Sequence, residues 1–278
     1  MNHHPIITMS SSASAILEAP ASITTLSHEQ IQALAAEYWE KGFIILRNLF
    51  TVSEIEAWRA ECDCLLKADF VAPLNTRTPF RMNSGNTPER IDPVTDVSPT
   101  FKALRDDSRI TDVIEAIFKD KALPFKDKVI FKLPGTDGYT MHQDQAYWQM
   151  CPADDILSVS VQIDGASSAN GGIELFPGYH HELLTPEFKR MQMREEDIAK
   201  IDLSTIVKVE SQPGDILIFH SLTPHQSGRN TATFPRRSLY LTYSAARSGD
   251  LYTKQFERYK VEQVGDKTDA AVTQYYFR

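Results

Sequence analysis

The sequence predicts a mainly β protein with helices packed against its N-terminal side. Two patterns and one bound lead there. Beyond about residue 126, short runs such as "KVIFKLPG", "ILSVSVQID", "GGIELFPG", "STIVKVES", "GDILIFH" and "RRSLYLTYS" are bounded by Gly, Pro, Asn or Asp, which is the texture of a sandwich or barrel. Before it, apolar residues recur at helical spacing. The chain has 278 residues, 42% of them hydrophobic and 24% charged, enough for a full core. No internal repeat or second composition boundary divides it, so one domain over residues 27–278 is expected, with a β core at about 126–248 and a loosely ordered Ser/Ala/Thr-rich arm over 1–26.

In chain order, "SHEQIQALAAEYWEKG" reads as a helix with both ends marked. Ser27 can cap with Gln30 three residues on, and Gly42 can stop it. "FIILRNL" reads as a strand, "TVSEIEAWRAECDCLLKADF" as a second amphipathic helix and 110–118 as a third. Residues 71–100 are Pro-, Asn- and Arg-rich and irregular, and a loop of that length in a compact domain suggests a lid. Within the β half, 183–203 is a charged, helix-like insertion.

Composition narrows the function classes. A formal net charge of -8 argues against a nucleic-acid or membrane-surface role, which would need a basic face. Three cysteines form no disulfide framework, as in a reducing compartment. No apolar run is long enough to span a membrane, and the first residues have the pattern of neither a secretory signal nor a transit peptide. A cytoplasmic protein acting on a small molecule is expected.

The chemistry lies in two stretches. "MHQDQAYW" carries His142-x-Asp144; residues two apart on a strand face the same way, so one strand end can supply both an imidazole and a carboxylate. "GDILIFHSLTPHQSGRN" carries His220 and His225. Their odd separation turns them to opposite faces of a continuing strand. Pro224 and Ser227-Gly228 put His225 on the bend, where a side chain can be aimed at a site, and leave His220 as a packed residue. Two histidines and a carboxylate on one face of a metal leave positions open for a bidentate co-substrate and dioxygen. An arginine such as Arg236, on the next strand, can grip the far carboxylate of a dicarboxylic acid. A scaffold that brings two distant strand ends together is then required, as a double-stranded β-helix (jelly roll, cupin-like) does.

These residues, with "KLPG" upstream of the HxD and "NGGIELFPGYHH" between the two stretches, resemble the phytanoyl-CoA dioxygenase family of Fe(II)/2-oxoglutarate-dependent oxygenases over roughly residues 27–250. The resemblance implies that His142, Asp144 and His225 bind iron. It implies that Arg236, rather than Arg237, pairs with the distal carboxylate of 2-oxoglutarate, with Ser227 at the same end. It puts Lys128 and Lys132 on the strand entering the site, as co-substrate contacts. Ser160 stands where some relatives carry an aromatic co-substrate contact, and Tyr179 where serine is usual. Asp144 favours hydroxylation, since halogenating relatives have a small residue in that place.

The expectation is a hydroxylase: 2-oxoglutarate and dioxygen are consumed and an unactivated C–H bond of a small molecule is hydroxylated. Arg81, Tyr147 and Trp148 are candidate substrate contacts. A basic cluster of Arg81, Lys128 and Lys132 points to a small anionic or zwitterionic substrate such as an aminoalkylphosphonate. Oxidative tailoring of a complex secondary metabolite by the same chemistry is the alternative. From other classes, a non-oxygenase cupin-like metalloprotein and a catalytically silent binding module are the rivals.

Overall fold

The computed structural model describes residues 25–67, 90–185 and 192–259. The expected arm, most of the 71–100 loop with Arg81, and part of the 183–203 insertion lie outside those residues. The first helix, α1 (His28–Lys41), has the ends the sequence marks: Ser27 and Gln30 form a reciprocal capping box, and Gly42 closes the helix with a φ of 82°. Strand β1 (Phe43–Leu46) and helix α2 (Val52–Lys67) follow. After β2 (Arg90–Ile91) come α3 (Pro99–Arg105) and α4 (Ser108–Phe118). The sequence reading had no helix at α3. It is short, but Ser98 caps it and Pro99 starts it, both local signals for a helix N-terminus.

The β half holds β3 (Ala122–Lys132), β4 (Ile156–Gln162), β5 (Ile173–Leu175), β6 (Val207–Lys208), β7 (Ile216–His220), β8 (His225–Ser227) and β9 (Arg236–Ala245). The expected core at 126–248 starts slightly earlier. β3 reaches back through Pro124, which is absorbed by a register shift against β9 between Pro124 and Lys126. Residues 225–227, expected as a bend, are a short strand following a tight turn. Of the helix-like insertion, the described part forms only α5 (Glu195–Ile198) and a 3-10 turn, Leu203–Thr205. Helix α6 (Leu251–Tyr259) is the last element among the described residues. Among the described residues no helix is long and apolar enough to cross a membrane.

Among the described residues the strands form two antiparallel sheets, one ordered β1-β7-β4-β9-β3-β2 and the other β6-β5-β8. Cross-strand partners share a face, so the register separates the two faces of the larger sheet. One face carries Ile44, Val129, Phe131, Val159, Ile218 and Leu241, which pack with Leu34, Trp58, Phe101 and Ile114 of the helices in one core. On the opposite face, Leu217 and Phe219 pack against Ile173, Leu175 and Val209 of the smaller sheet. That apolar contact gives way to polar residues. Lys128 and Ser160 pair with Tyr240, Gln162 with Ser238, and Lys132 with Arg236. A space between two sheets is ordinarily filled by apolar side chains; here part of it is lined by polar and charged ones.

Candidate metal centre

His142 and His225 face each other across the ladder. Each donates its backbone N–H to the other's carbonyl, at 3.0 and 2.9 Å, making an isolated antiparallel bridge. The rings stand 4.2 Å apart by centroid. Each ring uses Nδ1 in the same way, toward the carbonyl two residues earlier: Thr140 at 2.8 Å for His142 and Thr223 at 3.0 Å for His225. Those bonds place the proton on Nδ1 and leave both Nε2 atoms as lone-pair donors.

Asp144 opens a 3-10 turn, Asp144–Ala146, immediately after the bridge. Its Oδ2 accepts from Ser158 Oγ at 2.6 Å. Its Oδ1 lies 3.8 Å from Nε2 of His142 and 3.9 Å from Nε2 of His225. Those separations exceed hydrogen-bond length, so the three donor atoms converge on a common point and not on one another. All three lie within 4.8 Å, and no further His, Cys, Asp or Glu joins them among the described residues. Two imidazole nitrogens and one carboxylate, with the remaining positions open, suit iron(II).

The electrostatics favour the ligand form of His142 and Asp144. Burial, seconded by the His225 imidazole, lowers the His142 pKa to about 4, so its ring is neutral at pH 7. Burial raises the Asp144 pKa, but His225, His142, Lys128 and the Ser158 hydroxyl outweigh it and hold the carboxyl below its ordinary range. Gln143, between the ligands, points the other way. Its amide donates to the carbonyls of Glu182 and Leu222 at 2.8 and 2.6 Å and accepts from Leu184 N–H at 2.7 Å, which pins the HxD segment to residues 182–184 and to the turn between β7 and β8.

His220 is packed elsewhere. Its Nδ1 accepts from Leu222 N–H at 3.0 Å, its Nε2 is 3.3 Å from Asp154, and its ring sits by Tyr38, Trp39 and His180. Arg236 is 3% exposed; Nε donates to the Asn170 carbonyl and Nη1 to Ser238 Oγ at 2.8 Å. No carboxylate pairs with it among the described residues. Arg237, on the opposite face, is fully engaged: Asp164 takes Nε and Nη2, and Asp63 takes Nη1. Ser227 accepts from Tyr139 N–H at 3.1 Å and lies 3.2 Å from Lys132 Nζ.

Lys132 is buried and donates also to the carbonyls of Gly171 and Gly228, so it clamps the turn that carries Ser227. Lys128 is half-buried, with Nζ 5.3 Å from the centre of the Tyr240 ring. Tyr147 sets its ring edge-on to His142 at 5.9 Å. Trp148 packs on Phe125 at 5.4 Å in a separate apolar cluster with Cys151, Ile156 and Leu251. Ser158 escaped the sequence reading. The signal was present in "SVSVQ": on a buried strand, small polar residues alternate with valines, so one face must meet something polar.

A family model described as phytanoyl-CoA dioxygenase matches residues 38–238. A methylphosphonate hydroxylase from Gimesia maris is 30% identical over 200 residues, which is 72% of this chain and 71% of that protein. A 2-aminoethylphosphonate dioxygenase from an uncultured bacterium is 26% identical over 161 residues, 58% of this chain and 60% of that protein. Among solved structures, EctD from S. alaskensis with 2-oxoglutarate and 5-hydroxyectoine superposes with a TM-score of 0.67 at 22% identity, covering 84% of this chain and 81% of that one.

Proposed function

We infer that this chain, which belongs to the phytanoyl-CoA dioxygenase family and is an Fe(II)- and 2-oxoglutarate-dependent dioxygenase, hydroxylates a C–H bond of a small acidic compound, an alkyl- or aminoalkylphosphonate. The observation that carries the substrate class is the inter-sheet face beside the three-ligand cluster, where, with Arg236 left to the co-substrate, Lys128 meets no carboxylate within ion-pair distance among the described residues. The names of the methylphosphonate and 2-aminoethylphosphonate relatives point the same way.

His142, Asp144 and His225 would hold the iron. Iron(II), with 2-oxoglutarate bound, supplies the oxidising power that puts one atom of dioxygen into the C–H bond, the co-substrate leaving as succinate and carbon dioxide. The chain's own part is placement. Ser158 fixes the rotation of the Asp144 carboxylate, and the Thr140 and Thr223 carbonyls fix the two rings. Arg236, its plane held by Asn170 and Ser238, offers a fork to the distal carboxylate of 2-oxoglutarate. Tyr147 walls one side of the ligand set, and Phe219, its ring 4.8 Å from that of His225, packs with Leu217 against the smaller sheet and shields the other side from water.

The scaffold reads as a double-stranded β-helix. Successive segments alternate between the sheets: β3 in the larger, His142 bridged to β8 of the smaller, β4 in the larger, β5 and β6 in the smaller, β7 in the larger, β8 in the smaller and β9 in the larger. All of it belongs to one domain over residues 27–278, and the free thiols of Cys62, Cys64 and Cys151 accord with a cytoplasmic setting.

The test is succinate release with iron, 2-oxoglutarate and, in separate reactions, methylphosphonate, 2-aminoethylphosphonate or ectoine. A phosphonate should stimulate release and gain one oxygen atom by mass spectrometry. Stimulation by ectoine alone would remove the phosphonate reading.

A further inference from the structure

Resting on the acidic-substrate reading above, we propose that the Lys128 ammonium is the group that receives the substrate's acidic head, and that it is a specificity-determining residue and not a co-substrate contact. The position comes from the register. Lys128 lies opposite Tyr240, and Tyr240 opposite Ser160, on the chamber face of the larger sheet. The next row toward the chain's metal cluster holds Lys126, Thr242 and Ser158, whose hydroxyl bonds Asp144. Arg236 lies the other way, opposite Lys132. Four strand positions separate Lys128 from Lys132, about 13 Å at ~3.3 Å per residue. The two basic groups therefore stand at different levels of one chamber.

Charge balance then separates their roles. Iron(II), the Asp144 carboxylate and the two carboxylates of 2-oxoglutarate together carry a single net negative charge, which Arg236 cancels, while the Lys132 ammonium is engaged by the Gly171 and Gly228 carbonyls. Lys128 remains. It forms no ion pair or hydrogen bond among the described residues, and its Nζ lies 5.3 Å from the centre of the Tyr240 ring. The adjoining Lys126 is taken by Asp92 at 3.2 Å. A half-buried ammonium with Asp144 and Asp92 nearby but no carboxylate in ion-pair contact is costly, and it is relieved by an anionic ligand that brings the countercharge. Burial, with Lys126 and Arg90 nearby, lowers its pKa to about 8, so it is still mainly charged at pH 7. Charge on Lys128 also acts on Asp144 and His142, which puts it in electrostatic reach of the reacting centre. A compact phosphonate held there would present its first carbon to the metal side of the chamber.

Calorimetric titration of the anaerobic enzyme loaded with iron and 2-oxoglutarate tests this, with methylphosphonate and inorganic phosphate as probes. Wild type should bind methylphosphonate. Lys128→Met should bind it at least tenfold more weakly, and Lys128→Arg should recover part of the loss. If Lys128→Met binds both anions as wild type does, or if wild type binds neither, the proposal is overturned. It is also overturned if the 2-oxoglutarate affinity of Lys128→Met falls as far as the methylphosphonate affinity, which would make Lys128 a co-substrate contact. If wild type binds methylphosphonate through Lys128 but never oxidises it, the anion site stands and the phosphonate reading of the reaction fails.

Discussion

Neighbouring arginines can have unrelated jobs, and alternation along β9 is what divides them. Arg236 faces the chamber and Arg237 the helices, where Asp164 and Asp63 hold it and raise its pKa. Arg236→Ala should raise the 2-oxoglutarate requirement by roughly tenfold to a hundredfold, since a charge-assisted pair is worth about 1.5–3 kcal/mol and each 1.4 kcal/mol is about tenfold. Arg236→Lys should recover only part, because an ammonium lacks the planar fork. Arg237→Ala should lower stability without that change, which titration of 2-oxoglutarate against succinate release, beside a denaturation curve, will separate. A normal 2-oxoglutarate requirement in Arg236→Ala would remove the anchor role. Lys128 makes a pH prediction. Its charge is present below about pH 8 and lost above it, with burial first and then Lys126 and Arg90 disfavouring the charge and Asp144 and Asp92 favouring it. Methylphosphonate affinity should therefore fall above pH 8, by up to about tenfold per unit for one required proton. In Lys128→Arg the fall should vanish, because guanidinium keeps its proton. A flat profile in wild type would count against the ammonium as the binding form.

At the scale of elements, the coupling of α1 to the β7–β8 turn matters most. Gly42 ends the helix at positive φ, and a Cβ there would meet His180 Nδ1 at 2.6 Å and Thr223 Oγ1 at 2.7 Å. Its carbonyl accepts from His220 N–H and from the Thr223 hydroxyl, both at 2.8 Å, and the Thr223 carbonyl in turn orients His225. Gly42→Ala should thus cost about 1–3 kcal/mol of stability and should also weaken metal binding. Denaturant unfolding and a metal titration will show both effects; loss of stability with unchanged metal affinity would mean that the helix end does not position His225. The helix itself was legible because its caps are local. β8 was not, since three residues beside a Pro-Ser-Gly-rich turn carry no periodicity of their own. Its strand character comes entirely from partners at Ile173–Leu175 and His142. Ser158 was hidden for the same reason: its partner is fourteen residues away on another element.

For the whole molecule, metal loading should stabilise the fold by mass action, roughly 2.7 kcal/mol at a hundredfold excess over Kd. Iron(II) or manganese(II) should raise the melting temperature of wild type and of His220→Ala. It should do much less for His142→Ala, Asp144→Ala and His225→Ala, each of which removes a proposed ligand. An unresponsive His220→Ala beside a responsive His225→Ala would reverse the choice between them. The overall plan was readable in sequence because two helical caps, a run of turn-bounded strands and an ordered set of motifs agree with one another. The ladder that closes the chamber was not, because it joins residues far apart in the chain.

The His142–His225 bridge joins two processes usually treated apart. The amide protons that each histidine donates to the other are sheltered by the same rung that holds the imidazoles in position. Fraying of this rung exposes those amides to solvent and, in the same event, spreads the ligand set. Release of iron to a chelator and deuterium uptake at these two amides should then follow a common opening rate. The residence time of the metal would be set by the breathing of the smaller sheet and not by the strength of the individual metal–ligand bonds.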